Sequence, residues 1–151
     1  MTAASGPVRI LVVDDEPDFI EEVRFWLTAR GYHVESATSG VEAMERINTN
    51  PPMLVFLDLK MPGVDGVNTL RDIRRDHPQL PVVVVTVSAD DPRQFGPAQE
   101  LGVVGVFSKD GSFDRLTDLV EAALHPQSGS SDASSARPSS WRAWLMSLLH
   151  R

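Results

Sequence analysis

Three short runs of β-branched and other apolar residues constrain this chain more than any other feature: Val8–Val13 (VRILVV), Met53–Leu57 (MLVFL) and Val82–Val85 (VVVV). Apolar at successive rather than alternate positions and bounded by Pro, Asp and Asn, they read as strands buried on both faces of a parallel sheet. Tyr32–Ser36 and Val103–Ser108 are weaker strand candidates. Between the strands lie helical patterns: Ile20, Val23, Leu27; Val41, Met44, Ile47; Val67, Leu70, Ile73; and Leu116, Leu119, Val120, Ala123. Gly31 suits the end of the first helix and Ser112 the start of the last. Five β-α units in succession predict an α/β fold with a parallel sheet and helices on both faces. Only Asp90–Leu101 is poorly specified, because Gly96-Pro97 interrupts it and predicts a short or broken helix.

The composition changes at about Leu124. Residues 125–140 are rich in Ser, Ala, Pro and Gly and read as a flexible linker, leaving residues 7–124 as the folded domain. Of the net charge of −7, the last 27 residues contribute +2, so the first 124 carry −9. That acidic field argues against direct nucleic-acid binding. Zero cysteines exclude disulfides, thiol catalysis and cysteine-based zinc sites. No run approaches the roughly 20 apolar residues of a membrane span, and residues 1–7 lack the pattern of a secretory signal. The expected compartment is the cytoplasm.

The chemistry gathers at strand ends. Asp14-Asp15 follow the first strand, Asp58 ends the third, Thr86 ends the fourth and Lys109 ends the fifth. In open α/β sheets, sites form beyond the carboxyl ends of strands where the strand order reverses. If the first and third strands are neighbours there, three carboxylates converge, with a hydroxyl and an ammonium arriving from the other side. Such a cluster makes electrostatic sense with a hard divalent cation, Mg²⁺ above all. One carboxylate can then act as nucleophile toward phosphorus. Each residue alone has a plainer reading: Asp14-Asp15 as helix caps, Thr86 as strand packing, Lys109 as a solvated charge. Their joint occurrence at four strand ends favours the functional one. His33, His77, His125 and His150 have no metal-ligand spacing.

VVDDEP, LVFLDLKMPGVDG, VVVVT and FSKDG together resemble the receiver domain of bacterial two-component response regulators, over about residues 7–124. The resemblance implies a flavodoxin-like, doubly wound five-stranded parallel sheet of order 2-1-3-4-5, followed here by the flexible tail. It implies that Asp58 accepts a phosphoryl group from a histidine kinase or phosphotransfer protein. Asp15, Asp58 and the backbone carbonyl of Lys60 would hold Mg²⁺, with Asp14 helping directly or through water. Thr86 would be the switch hydroxyl and Lys109 the phosphate-binding lysine. Met61-Pro62, Asp65 and Gly66 match the loop after the acceptor, where Gly63 and Gly66 read as turn formers. Lys60 and Ser88 occupy positions that would tune phosphoryl lifetime.

Two positions depart from the family pattern. Val106 stands where many receivers carry a mobile aromatic, and Phe107 should face the other side of the strand. Asp110 replaces the proline that often follows the lysine.

The expected function is therefore a phosphoacceptor switch rather than an enzyme, a single-domain response regulator acting on a downstream protein. An aspartyl-nucleophile phosphatase on a similar sheet is the alternative. It would want a DxD motif, whereas Asp14-Asp15-Glu16 follows the first strand and no acid lies two residues beyond Asp58. A flavin module would want Ser, Thr or Gly after the first strand. In the tail, Trp141, Trp144, Leu145, Leu148 and Leu149 fall on one face of a predicted amphipathic helix over 141–151. It would dock on its own domain, in the groove of a partner protein or on a membrane surface. The last ranks lowest because the segment lacks a polybasic face.

Overall fold

The computed structural model describes residues 7–61, 64–87 and 98–124, with no side-chain detail at 64 and 65. The predicted linker over 125–140, the predicted helix over 141–151, Ser88, and the Gly96-Pro97 break lie outside the described residues. So do Pro62 and Gly63.

The elements are β1 (Arg9–Val13), α1 (Pro17–Thr28), β2 (His33–Ala37), α2 (Gly40–Thr49) and β3 (Leu54–Asp58). Two short strands follow, β4 (Lys60–Met61) and β5 (Val64–Asp65), and then α3 (Gly66–Asp76), β6 (Val82–Thr86), β7 (Gly105–Ser108) and α4 (Phe113–Leu124). Residues 98–100 are also helical. The main sheet has five strands in the order β2-β1-β3-β6-β7, all neighbours parallel. The order is the expected flavodoxin-like one; β6 and β7 are its fourth and fifth strands because β4 and β5 form a separate antiparallel ribbon.

Both sheet faces are covered, which explains why β1, β3 and β6 are apolar at successive positions. Leu11, Val13, Val55, Leu57, Val82 and Val84 pack with α2 and α3 through Ala43, Ile47, Leu70 and Ile73. Ile10, Val12, Leu54, Phe56, Val83 and Val85 pack with α1 and α4 through Val23, Leu27, Leu116 and Val120. Strand alternation thus divides each run between two cores.

Local chemistry sets the helix ends. Ser39 Oγ accepts from the Glu42 amide at 3.1 Å, and Glu42 accepts in return from the Thr38 amide at 2.9 Å, a reciprocal cap on α2. Ser112 Oγ accepts from the Asp114 amide at 3.1 Å, as its position before α4 predicts. Gly31 adopts φ +92° in the turn after α1, a conformation that favours glycine.

One reading of the helical faces is corrected. Val41 is 72% exposed, and α2 instead buries Gly40, Ala43 and Ile47, with Met44 half-buried beside them. The helix begins at Gly40, which turns the buried stripe by one residue from the predicted Val41–Met44–Ile47 line.

Candidate functional site

β1 and β3 are adjacent, while the chain leaves β1 for β2 on its other side. That reversal opens a crevice beyond the strand ends. Asp14 directly follows β1, and its amide donates to the Ala37 carbonyl at 3.0 Å, extending the β1–β2 ladder. Asp58 is the last residue of β3 and Thr86 the last of β6. Lys109 follows β7, its amide bonded to the Thr86 carbonyl at 2.8 Å. The sheet therefore delivers all four positions to one end by register alone.

Asp14, Asp15 and Asp58 each present a carboxylate oxygen within 4.8 Å of the others. Asp14 and Asp58 are buried, and Asp15 is half-buried. The Asp58 Oδ1 accepts from the Lys60 amide at 2.9 Å, and the Asp14 Oδ1 accepts from the Glu16 amide at 2.9 Å. These bonds leave each carboxylate's second oxygen turned toward Lys109. The ammonium lies 2.9 Å from Asp14 Oδ2, 3.4 Å from Asp58 Oδ2, and in contact with Glu16. It also sits 4.9 Å from the centre of the Phe19 ring.

Burial shifts the acids upward. Desolvation raises the Asp58 pKa to about 6, with the Asp14 charge adding to it and the Lys60 amide and Lys109 opposing it. Asp14 is also raised, chiefly by burial and against the hydrogen bonds it receives. Burial alone would lower Lys109, but its contacts with Glu16 and Asp14 and the charges of Asp14 and Asp58 raise it instead. Lys109 thus stays an ammonium.

The donor set fits a hard dication. Three carboxylates share one small volume, and the buried Asp14 Oδ2 makes no backbone hydrogen bond and meets the Lys109 ammonium at 2.9 Å, a position at which a cation is already accommodated.

Residues 10–121 match the response regulator receiver domain family. The chain belongs to that family. The chain is 30% identical over 126 residues to the transcriptional regulatory protein GlrR of Escherichia coli, covering 83% of this chain and 28% of that protein. The response regulator MprA of a Mycobacterium species is 46% identical over 80 residues, 53% of this chain and 35% of that one. The chain spans roughly a third of the length of these curated relatives. Among solved structures, the receiver domain of NtrX from Brucella abortus superposes with a TM-score of 0.71 at 35% identity, over 76% of this chain and 97% of that chain. The response regulator TrrA of Thermotoga maritima, solved with Mg²⁺-BeF, gives 0.69 at 29% identity, over 78% and 99%. The matched family is one of two-component signalling switches, and no enzymatic family is indicated. No helix among the described residues is long and apolar enough to cross a membrane.

Within the receiver, the structure brings together Asp14, Asp15, Asp58 and Lys109, and places Thr86 beside them in the sheet. Two neighbours escaped the sequence reading: Glu16 and Phe19, which touch Lys109. The Glu16 position was visible in VVDDEP, but its partner lies 93 residues away. Gly66 has a different reason from the expected turn. A Cβ there would clash with Leu59 Cα and lie 2.7 Å from the Asp58 carbonyl oxygen, so the start of α3 closes on the end of β3 through space only glycine leaves. Val106 and Phe107 face opposite sides of β7, as expected: Val106 lies on the side of the sheet that α2 and α3 cover, in the core that includes Ala98 and Val103, and Phe107 lies against Phe19 and Phe113.

Proposed function

We propose that this receiver accepts a phosphoryl group on Asp58 from a phosphohistidine of a kinase or phosphotransfer protein and passes the signal on through protein contacts. The observation that carries this reading is the buried Asp58 carboxylate at the end of β3, with Asp14 and Asp15 inside 4.8 Å and Lys109 3.4 Å away.

An Asp58 oxygen attacks phosphorus as the P–N bond of the donor breaks, and the electron pair leaves with the imidazole nitrogen. The product is an aspartyl phosphate. Asp14, Asp15, Asp58 and the Lys60 carbonyl are the groups that would hold Mg²⁺, which when bound supplies positive charge opposite the phosphoryl oxygens. Lys109, held at the same end of the sheet by its place after β7, supplies a further positive charge for the phosphoryl oxygens. The Thr86 hydroxyl, one strand over, provides the remaining hydrogen bond and moves toward the phosphoryl oxygens once they are present. Lys60, exposed two residues after the acceptor, sets how readily water reaches the phosphoryl group. The similar TrrA protein, solved with Mg²⁺-BeF, supports the metal and the phosphoryl geometry.

Acetyl phosphate with Mg²⁺ should add one phosphoryl group, read by intact mass, and Asp58→Asn or a chelator should abolish it. Full labelling of Asp58→Asn would overturn the assignment.

A further inference from the structure

The Lys109 ammonium cannot keep its present contacts when a dication enters the carboxylate cluster. It lies 2.9 Å from Asp14 Oδ2 and 3.4 Å from Asp58 Oδ2, on two of the three carboxylates that such an ion would share. Two cations on the same carboxylates repel strongly at such separations. Yet the ammonium must remain close, because the phosphoryl group needs it.

A third contact of Lys109 meets both demands. Glu16 touches the same ammonium, and it differs from Asp14 and Asp58 in every relevant respect. It is 57% exposed, so its charge is solvated and its side chain has room to move. It stands outside the trio of convergent carboxylates. As the residue before Pro17 it caps α1 through no side-chain bond, so its carboxylate has no helical task. The Phe19 ring, one turn further along α1, lies against the ammonium and limits where it can go.

We infer that Glu16 is a positioning residue that retains Lys109 when a divalent cation occupies the Asp14–Asp15–Asp58 cluster, so that the ammonium withdraws from those oxygens without leaving the site. The inference rests on the reading of the cluster as a Mg²⁺ site. Without Glu16, the carboxylate contacts left to the ammonium among the described residues are those with Asp14 and Asp58, for which it competes with the metal.

The test is a double-mutant cycle read by calorimetric Mg²⁺ titration of the whole chain, with no phosphodonor present. Glu16→Gln should weaken Mg²⁺ binding about two- to five-fold, the scale of an exposed ion pair. Lys109→Met should strengthen it by removing the competitor. The decisive arm is Glu16→Gln in the Lys109→Met background, where the loss should shrink to less than about half of its wild-type value on a logarithmic scale. Lys109→Gln serves as a second background if the Met variant fails to fold by circular dichroism. An equal loss in both backgrounds would reduce Glu16 to a general negative charge and overturn the inference, as would no loss in the wild type. If the wild-type chain binds no Mg²⁺, the metal reading falls and this inference with it. Loss of Asp58 labelling specificity would leave the cycle untouched, so the two failures are distinguishable.

Discussion

At the residue scale, Asp58 is almost fully buried beside a second buried acid, and burial pushes its pKa up to about 6. Ionising it in the folded protein therefore carries a cost that the unfolded chain does not have. With metal removed by chelation, Asp58→Asn should raise stability at pH 7.5 by about 1–3 kcal/mol, measured by urea denaturation, while abolishing phosphorylation. Gly66→Ala should act in the opposite sense. Its new methyl has no room against the Leu59 Cα and the Asp58 carbonyl, so about 2–3 kcal/mol of stability should be lost and phosphorylation slowed. A Gly66→Ala protein with wild-type urea midpoint would show that α3 can shift freely away from β3. Asp14, Asp15, Asp58, Thr86 and Lys109 were legible in the sequence because each falls at or beside the end of a recognisable strand, where a parallel sheet gathers its ends. Glu16 and Phe19 were not, because their role depends on where a flexible lysine from another element comes to rest. Gly66 was legible as a glycine but not for its reason, since close approach of backbones leaves no mark on local turn chemistry.

At the element scale, the strand runs announced themselves through β-branched residues buried on both sides, and their order could be inferred only with the family in view. The burial stripe of α2 was read one residue out because an apolar Val41 and a permissive Gly40 look reversed on paper; the capping pair Ser39 and Glu42 fixes the true start. Arg74 shows a further limit of local pattern. On paper it is one of two adjacent arginines ending α3. In the fold its guanidinium donates to the carbonyls of Leu80 at 2.7 Å, Leu101 at 2.8 Å, Gly102 at 2.7 Å and His77 at 3.4 Å. It thereby ties α3 to the turns that enter β6 and β7. Gly102 at φ +81° lets that second turn present its carbonyl. Arg74→Ala leaves these acceptors without their charged donor and should cost about 2–4 kcal/mol. Hydrogen exchange should rise at Leu101–Val104 before it rises in β1 or β3. Unchanged protection there would mean that the turns hold themselves.

At the scale of the whole molecule, the two kinds of shifted acid set opposite pH trends. Glu35, bonded through both oxygens to Arg9 at 3.1 Å, has its pKa lowered chiefly by that contact. Its contribution is complete above the ordinary carboxylate range and is lost as pH falls through the lowered value. Asp58 is raised, so the folded chain takes up its proton more readily than the unfolded chain. Its penalty is absent below the unfolded value of 3.8 and complete above about 6. The chelated protein should therefore be most stable at about pH 4 to 4.5, lose stability from there to about pH 6 and stay level above it, and Asp58→Asn should flatten that fall. The contact of Lys109 with Phe19 also makes the molecule optically legible. Lys109 rests on Phe19; Phe19 and Phe107 each meet Phe113, at 6.5 and 5.8 Å between ring centres; Phe113 meets the Trp26 indole edge-on at 5.7 Å. That indole is anchored by its hydrogen bond to Thr117 at 2.8 Å. A displaced ammonium changes the field and the packing along this row of rings, whose far end is a natural fluorophore. With Trp141 and Trp144 replaced by Phe, the emission of Trp26 should shift when Mg²⁺ and beryllofluoride are added, and Lys109→Met should silence that shift, giving this switch a light signal of its own without any attached dye.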